Sequence, residues 1–130
     1  MVKAQSTQMM NVDIDAIWQK FLLHKVNSFI KWDLVRFFHD NPHTADTAAS
    51  IATVVGRDTS TINKELDGLA RAEVLVKDTV SGQSIYRLST DDEVRQLVRE
   101  FVAACHDREF RVKAINQVIH GMGFETRRDF

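Results

Sequence analysis

The chain has 130 residues, of which 44% are hydrophobic and 27% charged. That length suits one domain, the apolar share is too high for a disordered chain, and no apolar run reaches the roughly 18–20 residues of a membrane span. The formal charge is −1 at pH 7, so any surface that meets phosphate must come from local clustering of Lys and Arg.

Residues 1–11 are polar and patternless and read as a disordered tail without the apolar core of a signal peptide. A lone Cys105 forms no internal disulfide and fits a reducing compartment, so the expected location is cytoplasmic. From Asp13, a candidate N-cap, Ile14, Trp18, Phe21, Leu22, Val26, Phe29 and Ile30 recur at helical spacing. An N-terminal helix is assigned to 12–27. Asn27-Ser28 offers a break, so the stretch from Asp13 to Asp40 reads as two helices or one kinked helix, ended by Asn41-Pro42.

Thr47 suits the N-cap of the next helix, with Ile51, Ala52 and Val55 inward and Gly56 as its stop. Asp58 or Thr59 caps a following helix, about 58–72, whose inward residues are Ile62, Leu66 and Leu69. Val74–Lys77 and Ser84–Leu88 flank Ser81-Gly82 and predict a β-hairpin. Ser89-Thr90-Asp91-Asp92-Glu93 then opens a helical region over 91–123 with a cap and an acidic first turn. Within it Val94, Val98, Phe101, Cys105, Arg108, Val112, Ile115, Ile119 and Met122 follow a 4–3 spacing, a heptad-like seam interrupted by Arg108. Gly121 and Gly123 are read as its stop and 124–130 as a tail. A break near His106-Asp107, with Asp107 capping a separate helix, is the alternative to one long helix.

The order helix, glycine, helix, hairpin resembles the winged helix-turn-helix domain of MarR- and ArsR-like regulators. Ala48-Ala49-Ser50-Ile51-Ala52 with Gly56 matches the family's first motif helix. Ser60-Thr61-Ile62, Asn63-Lys64-Glu65, Leu66 and Leu69 match its recognition helix, and Ile85-Tyr86-Arg87-Leu88 its returning wing strand. The resemblance implies a mainly α fold with a small β-hairpin: a winged helix-turn-helix over 28–90 with additional N- and C-terminal helices. It also implies a DNA-binding transcriptional regulator with double-stranded DNA as partner. The residues that would meet DNA are Arg57, Thr59, Ser60, Thr61, Asn63 and Lys64. Dimerisation is assigned to the seam residues Val94, Val98, Phe101, Val112, Ile115 and Ile119.

Three features depart from the family pattern, and the second and third favour the alternative, a winged-helix protein-interaction module without DNA binding. Glu73 stands where the family has glycine, Glu65 and Asp67 put carboxylates on the recognition helix, and the tip Thr79–Gln83 carries no Lys or Arg. A metal- or ligand-responsive sensor is the third reading. His106 and His120 are its weak metal candidates, but roughly 21 Å apart on one helix they close no site within one chain. No glycine-rich phosphate loop, nucleophile motif or zinc-spaced Cys/His cluster is present, so neither an enzyme nor a cofactor is expected.

Overall fold

A computed structural model describes residues 14–128, and the side chains of 14–122. The candidate cap Asp13 and the tail 1–11 lie outside the described residues. The fold is mainly helical, with a small three-stranded antiparallel sheet.

Helix α1, Ala16–His24, begins at Asp15, whose side chain makes no capping bond. The chain breaks at Lys25–Ser28 and restarts as α2, Phe29–Asp40, because the Ser28 Oγ accepts the Lys31 N–H at 3.1 Å. Two helices therefore occupy the stretch from residue 16 to 40. Strand β1, Ala45–Asp46, is a two-residue element that the alternation of side chains does not reveal.

Helix α3, Ala48–Val55, is capped by Thr47, whose Oγ1 accepts from Ser50 N, and ends at Gly56 with φ 74°. A side chain there would force an L-residue into left-handed backbone, which glycine adopts freely. Helix α4, Thr59–Arg71, follows after a three-residue turn, with Asp58 as its cap. Ile62, Leu66 and Leu69 are fully buried, as their 4–3 spacing requires.

Strands β2, Leu75–Val80, and β3, Gln83–Leu88, pair through a turn at Ser81 and Gly82, both at positive φ as a tight hairpin demands. The sheet order is β1-β3-β2, with Lys77 opposite Tyr86 and Ala45 opposite Arg87.

Glu73 takes φ 67°, so the left-handed turn after α4 is kept with a residue that is strained there. The left-handed conformation costs an L-residue about 1–2 kcal/mol. Part of that is offset by the lower flexibility of Glu in the unfolded chain. Because Glu73 is solvent-exposed, Glu73→Gly is expected to stabilise the fold by about 0.5–1 kcal/mol. A rise in urea midpoint at unchanged m-value is the readout, and a fall would show that the Glu73 side chain stabilises the turn.

The C-terminal region differs from a single seam. Helix α5, Asp92–Ala104, is capped by Asp91 and ends at Cys105, and α6, Arg108–Arg128, starts afresh. Asp107 caps α6, its Oδ2 accepting from Phe110 N at 2.9 Å. The seam breaks because its halves face different partners. Val98 and Phe101 are buried in the chain's own core, whereas Ala114 and Val118 are the buried side of α6, which packs on α1. The dimer assignment of Val98 and Phe101 is therefore corrected: each is 1% exposed, leaving nothing to offer a partner. Val94 also packs against the core. Val112, Ile115 and Ile119 remain exposed. Arg108, the charged residue of the seam, lies in solvent.

Gly121 does not stop α6, which continues through Gly123 and residues 124–128 that the sequence suggested as a tail. A helix-interior glycine costs only about 1 kcal/mol, and a Cβ at Gly121 would already stand 4.0 Å from Leu23 Cδ1 of α1. No helix among the described residues is long and apolar enough to cross a membrane.

Candidate nucleic-acid interface

Burial of Ile62, Leu66 and Leu69 turns the opposite side of α4 outward. Thr59, Ser60, Asn63 and Lys64 are exposed there, with Arg57 just before the helix and Thr61 half-buried beside them. The six expected contact residues thus fall within one short stretch, Arg57 to Lys64, though with unequal freedom.

Asp58 Oδ2 accepts from Thr61 N at 3.0 Å, from Ser60 Oγ at 2.7 Å and from Thr61 Oγ1 at 3.2 Å. The Ser60 hydroxyl, then Thr61, hold the Asp58 carboxyl below its usual range. Both hydroxyl protons are thereby committed, so Ser60 and Thr61 can offer a nucleic acid lone pairs but not donors. Thr59 and Lys64 make no side-chain hydrogen bond or ion pair with the described residues. Arg57 Nη2 pairs with Asp33 Oδ2 of α2 at 2.9 Å, with both side chains over 40% exposed. A pair so open to water contributes about 0–1 kcal/mol and is readily exchanged for another anion.

The two carboxylates on α4 do not face outward as free charges. Glu65 Oε1 accepts from Ser28 Oγ at 3.0 Å and lies 3.5 Å from Lys31 Nζ, with both side chains of that ion pair mostly buried. Gly68 leaves the Lys31 stem its path: a Cβ there would stand 2.7 Å from Lys31 Cε. Asp67 Oδ1 accepts from Tyr86 OH at 2.6 Å and from Lys77 Nζ at 2.9 Å. Burial would push the Asp67 carboxyl up, but the bonds from Tyr86 and Lys77, with the Lys77 charge, outweigh it and leave it below its usual range. Burial and the neighbouring Asp67 raise the Tyr86 phenol. The hydrogen bond to Asp67 raises the Lys77 ammonium. Tyr86 OH also lies 3.3 Å from Asn63 Oδ1. The hairpin and α4 are thus fastened through Asp67, Tyr86 and Lys77.

Several structural roles were invisible in the sequence. Lys25 Nζ donates to Ala72 O at 2.7 Å and so caps the C-terminal end of α4. Arg95 Nε donates to Ser89 O at 2.7 Å, and Arg87 pairs with Asp78 on the hairpin. Lys25, in the break after α1, and Lys31, in α2, hold α4 in place. Their partners lie 34 to 47 positions away, so no local spacing announces them.

Away from α4, a cavity of about 330 Å³ is lined by Trp32, Arg36, Phe101, Cys105, His106 and Arg111, among others. Burial pushes the Cys105 thiol up to about 11 against the opposing charges of Arg111 and Arg36. The thiol is therefore protonated at neutral pH and a poor nucleophile. His106 and His120 are both exposed. Among the described residues, no three His, Cys, Asp or Glu side chains gather closely enough to hold a metal ion.

No family model, curated protein or solved structure matches this chain.

Proposed function

We propose that the chain is a winged helix-turn-helix DNA-binding transcriptional regulator, with α4 as the recognition helix and the β2–β3 hairpin as the wing. The observation that carries this reading is the outward face of α4. Thr59, Asn63 and Lys64 stand exposed there, while Glu65 and Asp67 are drawn inward onto Ser28, Lys31, Tyr86 and Lys77. The carboxylates that argued for a protein-interaction module are thus already neutralised within the fold and do not oppose phosphate. In this reading Lys64 and Arg57 supply charge, and Asn63 reads a base edge in the major groove. The wing tip carries no cation, so it contributes shape more than attraction. A regulator of this kind would act in the cytoplasm.

The test is chemical-shift mapping with duplex fragments carrying a sequence selected by the protein. Amides of residues 57–64 are expected to move most; shifts confined to α5 and α6 would refute the assignment of α4.

We also propose that it acts as a homodimer through the exposed strip Val112, Ile115 and Ile119 of α6. Because Val112, Ile115 and Ile119 are already about half buried in the subunit, each gains about half of the roughly 1.5–3 kcal/mol of full burial, and the six of a symmetric pair together can offset the loss of freedom on association. Because these residues are not part of the subunit core, Ile115→Asp with Ile119→Asp is expected to give a folded monomer. Sedimentation at tens of micromolar, about the range where a weak dimer would show, separates the outcomes. A wild-type chain that sediments as a monomer contradicts the proposal.

The cavity beside Cys105 favours one further reading on the same fold, a ligand-responsive regulator. Its aromatic floor, with Arg36, His106 and Arg111 around it, suits a small anion with an apolar body.

A further inference from the structure

Tyr86 is a buried residue whose hydroxyl reaches the exposed face of α4, touching both Asp67 and Asn63. A phenol has one proton to give and two lone pairs with which to accept. Asp67, ionised and also bonded to Lys77, can only accept. At 2.6 Å the Tyr86–Asp67 contact has the short length of a hydrogen bond to a charged oxygen, so the proton goes there. None is left for Asn63, 3.3 Å away. If the amide oxygen faced the phenol, two lone-pair-bearing oxygens would oppose each other without a proton between them. The two ends of an amide have nearly the same shape, and the proton count decides which of them meets the phenol. By that count the assignment with Oδ1 toward the phenol is reversed, so that the NH2 end faces inward as donor to Tyr86.

The outward edge of Asn63 then carries its carbonyl oxygen and the remaining N–H. One acceptor beside one donor complements the N6 amino group and N7 of adenine in the major groove. The opposite orientation would turn both N–H groups outward and leave a single outward lone pair on the oxygen, a donor-rich edge that suits the two acceptors of guanine, O6 and N7, better than it suits adenine. We propose that Tyr86 is a positioning residue that fixes the Asn63 amide so that the recognition helix selects adenine over guanine at one position of its site. This rests on the reading of α4 as a DNA-binding helix.

The test is selection from a randomised duplex library by wild-type protein and by the Tyr86→Phe, Asn63→Ala and Lys64→Ala variants. Wild type is expected to prefer adenine to guanine by about 10-fold or more at one position per half-site. Asn63→Ala should lose all base preference there. Tyr86→Phe frees the amide to turn over, so adenine and guanine should come within about threefold of each other while purine is still preferred. Lys64→Ala should weaken binding to every sequence without altering the selected base. A wild-type preference for guanine, or an adenine preference that Tyr86→Phe leaves intact, overturns the role of Tyr86 while DNA binding through α4 stands. No enriched sequence, with no effect of Lys64→Ala, overturns the DNA reading and the inference together. Should Tyr86→Phe fail to fold, the free wild-type protein supplies the answer by NMR. A strong NOE from an Asn63 side-chain NH2 proton to the Tyr86 ring is expected, and its absence refutes the inward NH2.

Discussion

Truncating Phe101 to alanine is expected to destabilise the chain by about 3–5 kcal/mol. Phe101 is 1% exposed and is the meeting point of an aromatic cluster. Its ring lies 5.0 Å from Phe21, 5.2 Å from Trp32 and 5.8 Å from Trp18, measured between centroids, with Phe110 at 6.3 Å. These rings come from α1, α2 and α6, so a cavity at Phe101 would loosen three helices from α5 at once. Urea unfolding followed by far-UV circular dichroism should show a large drop in midpoint that does not depend on protein concentration. A Phe101→Ala protein of unaltered stability that merely dissociates would return this residue to a dimer interface.

Asp67→Lys is expected to cost about 2–3 kcal/mol of stability. The reversal sets an ammonium beside Lys77 and removes the acceptor of the Tyr86 hydroxyl, whose ring is fully buried. The partial exposure of Asp67 keeps the figure below that of a fully buried pair. Were Asp67 instead a free charge on the outer face of α4, the same substitution would leave stability unchanged and tighten binding to any DNA sequence. Thermal unfolding and a nonspecific DNA titration of this one variant therefore decide whether the carboxylate belongs to the fold or to the surface.

The elements most legible in the sequence were those written by local chemistry. Thr47 and Asp58 cap their helices with side-chain oxygens, Gly56 supplies the left-handed stop, and Ser81-Gly82 makes the hairpin turn. Each depends on neighbours within about four positions, which is the range over which a sequence displays its own hydrogen bonds. The fates of Glu65 and Asp67 were not legible, because Ser28, Lys31, Lys77 and Tyr86 reach them only after the chain has folded. Strand β1 was missed for the same reason, since two residues have no period and only the pairing with β3 defines them.

The seam from Val94 to Met122 teaches a different point. Its 4–3 spacing correctly marks helices, but spacing does not say which surface a face will meet. Val98 and Phe101 meet the chain's own core. In α6, Ala114 and Val118 are buried, while Val112, Ile115 and Ile119 face outward. Asp107, able to cap a new helix, was the local sign that the seam would break. Among the expected DNA contacts, position was legible and availability was not: Ser60 and Thr61 spend their hydroxyl protons on Asp58, and Arg57 has Asp33 beside it.

The most direct measurement of the central claim is the salt dependence of DNA affinity for wild-type and Lys64→Ala proteins, using duplexes selected from a genomic library. Lys64 is an exposed cation in the N-terminal half of α4 and makes no ion pair with the described residues, so it is free to displace a counterion. If α4 lies in the major groove, the library yields an enriched sequence. Lys64→Ala then weakens binding to all sequences and lowers the slope of log K against log salt by about 0.9. A library with no enriched sequence, together with weak affinity and a salt slope that Lys64→Ala leaves unchanged, would contradict the account.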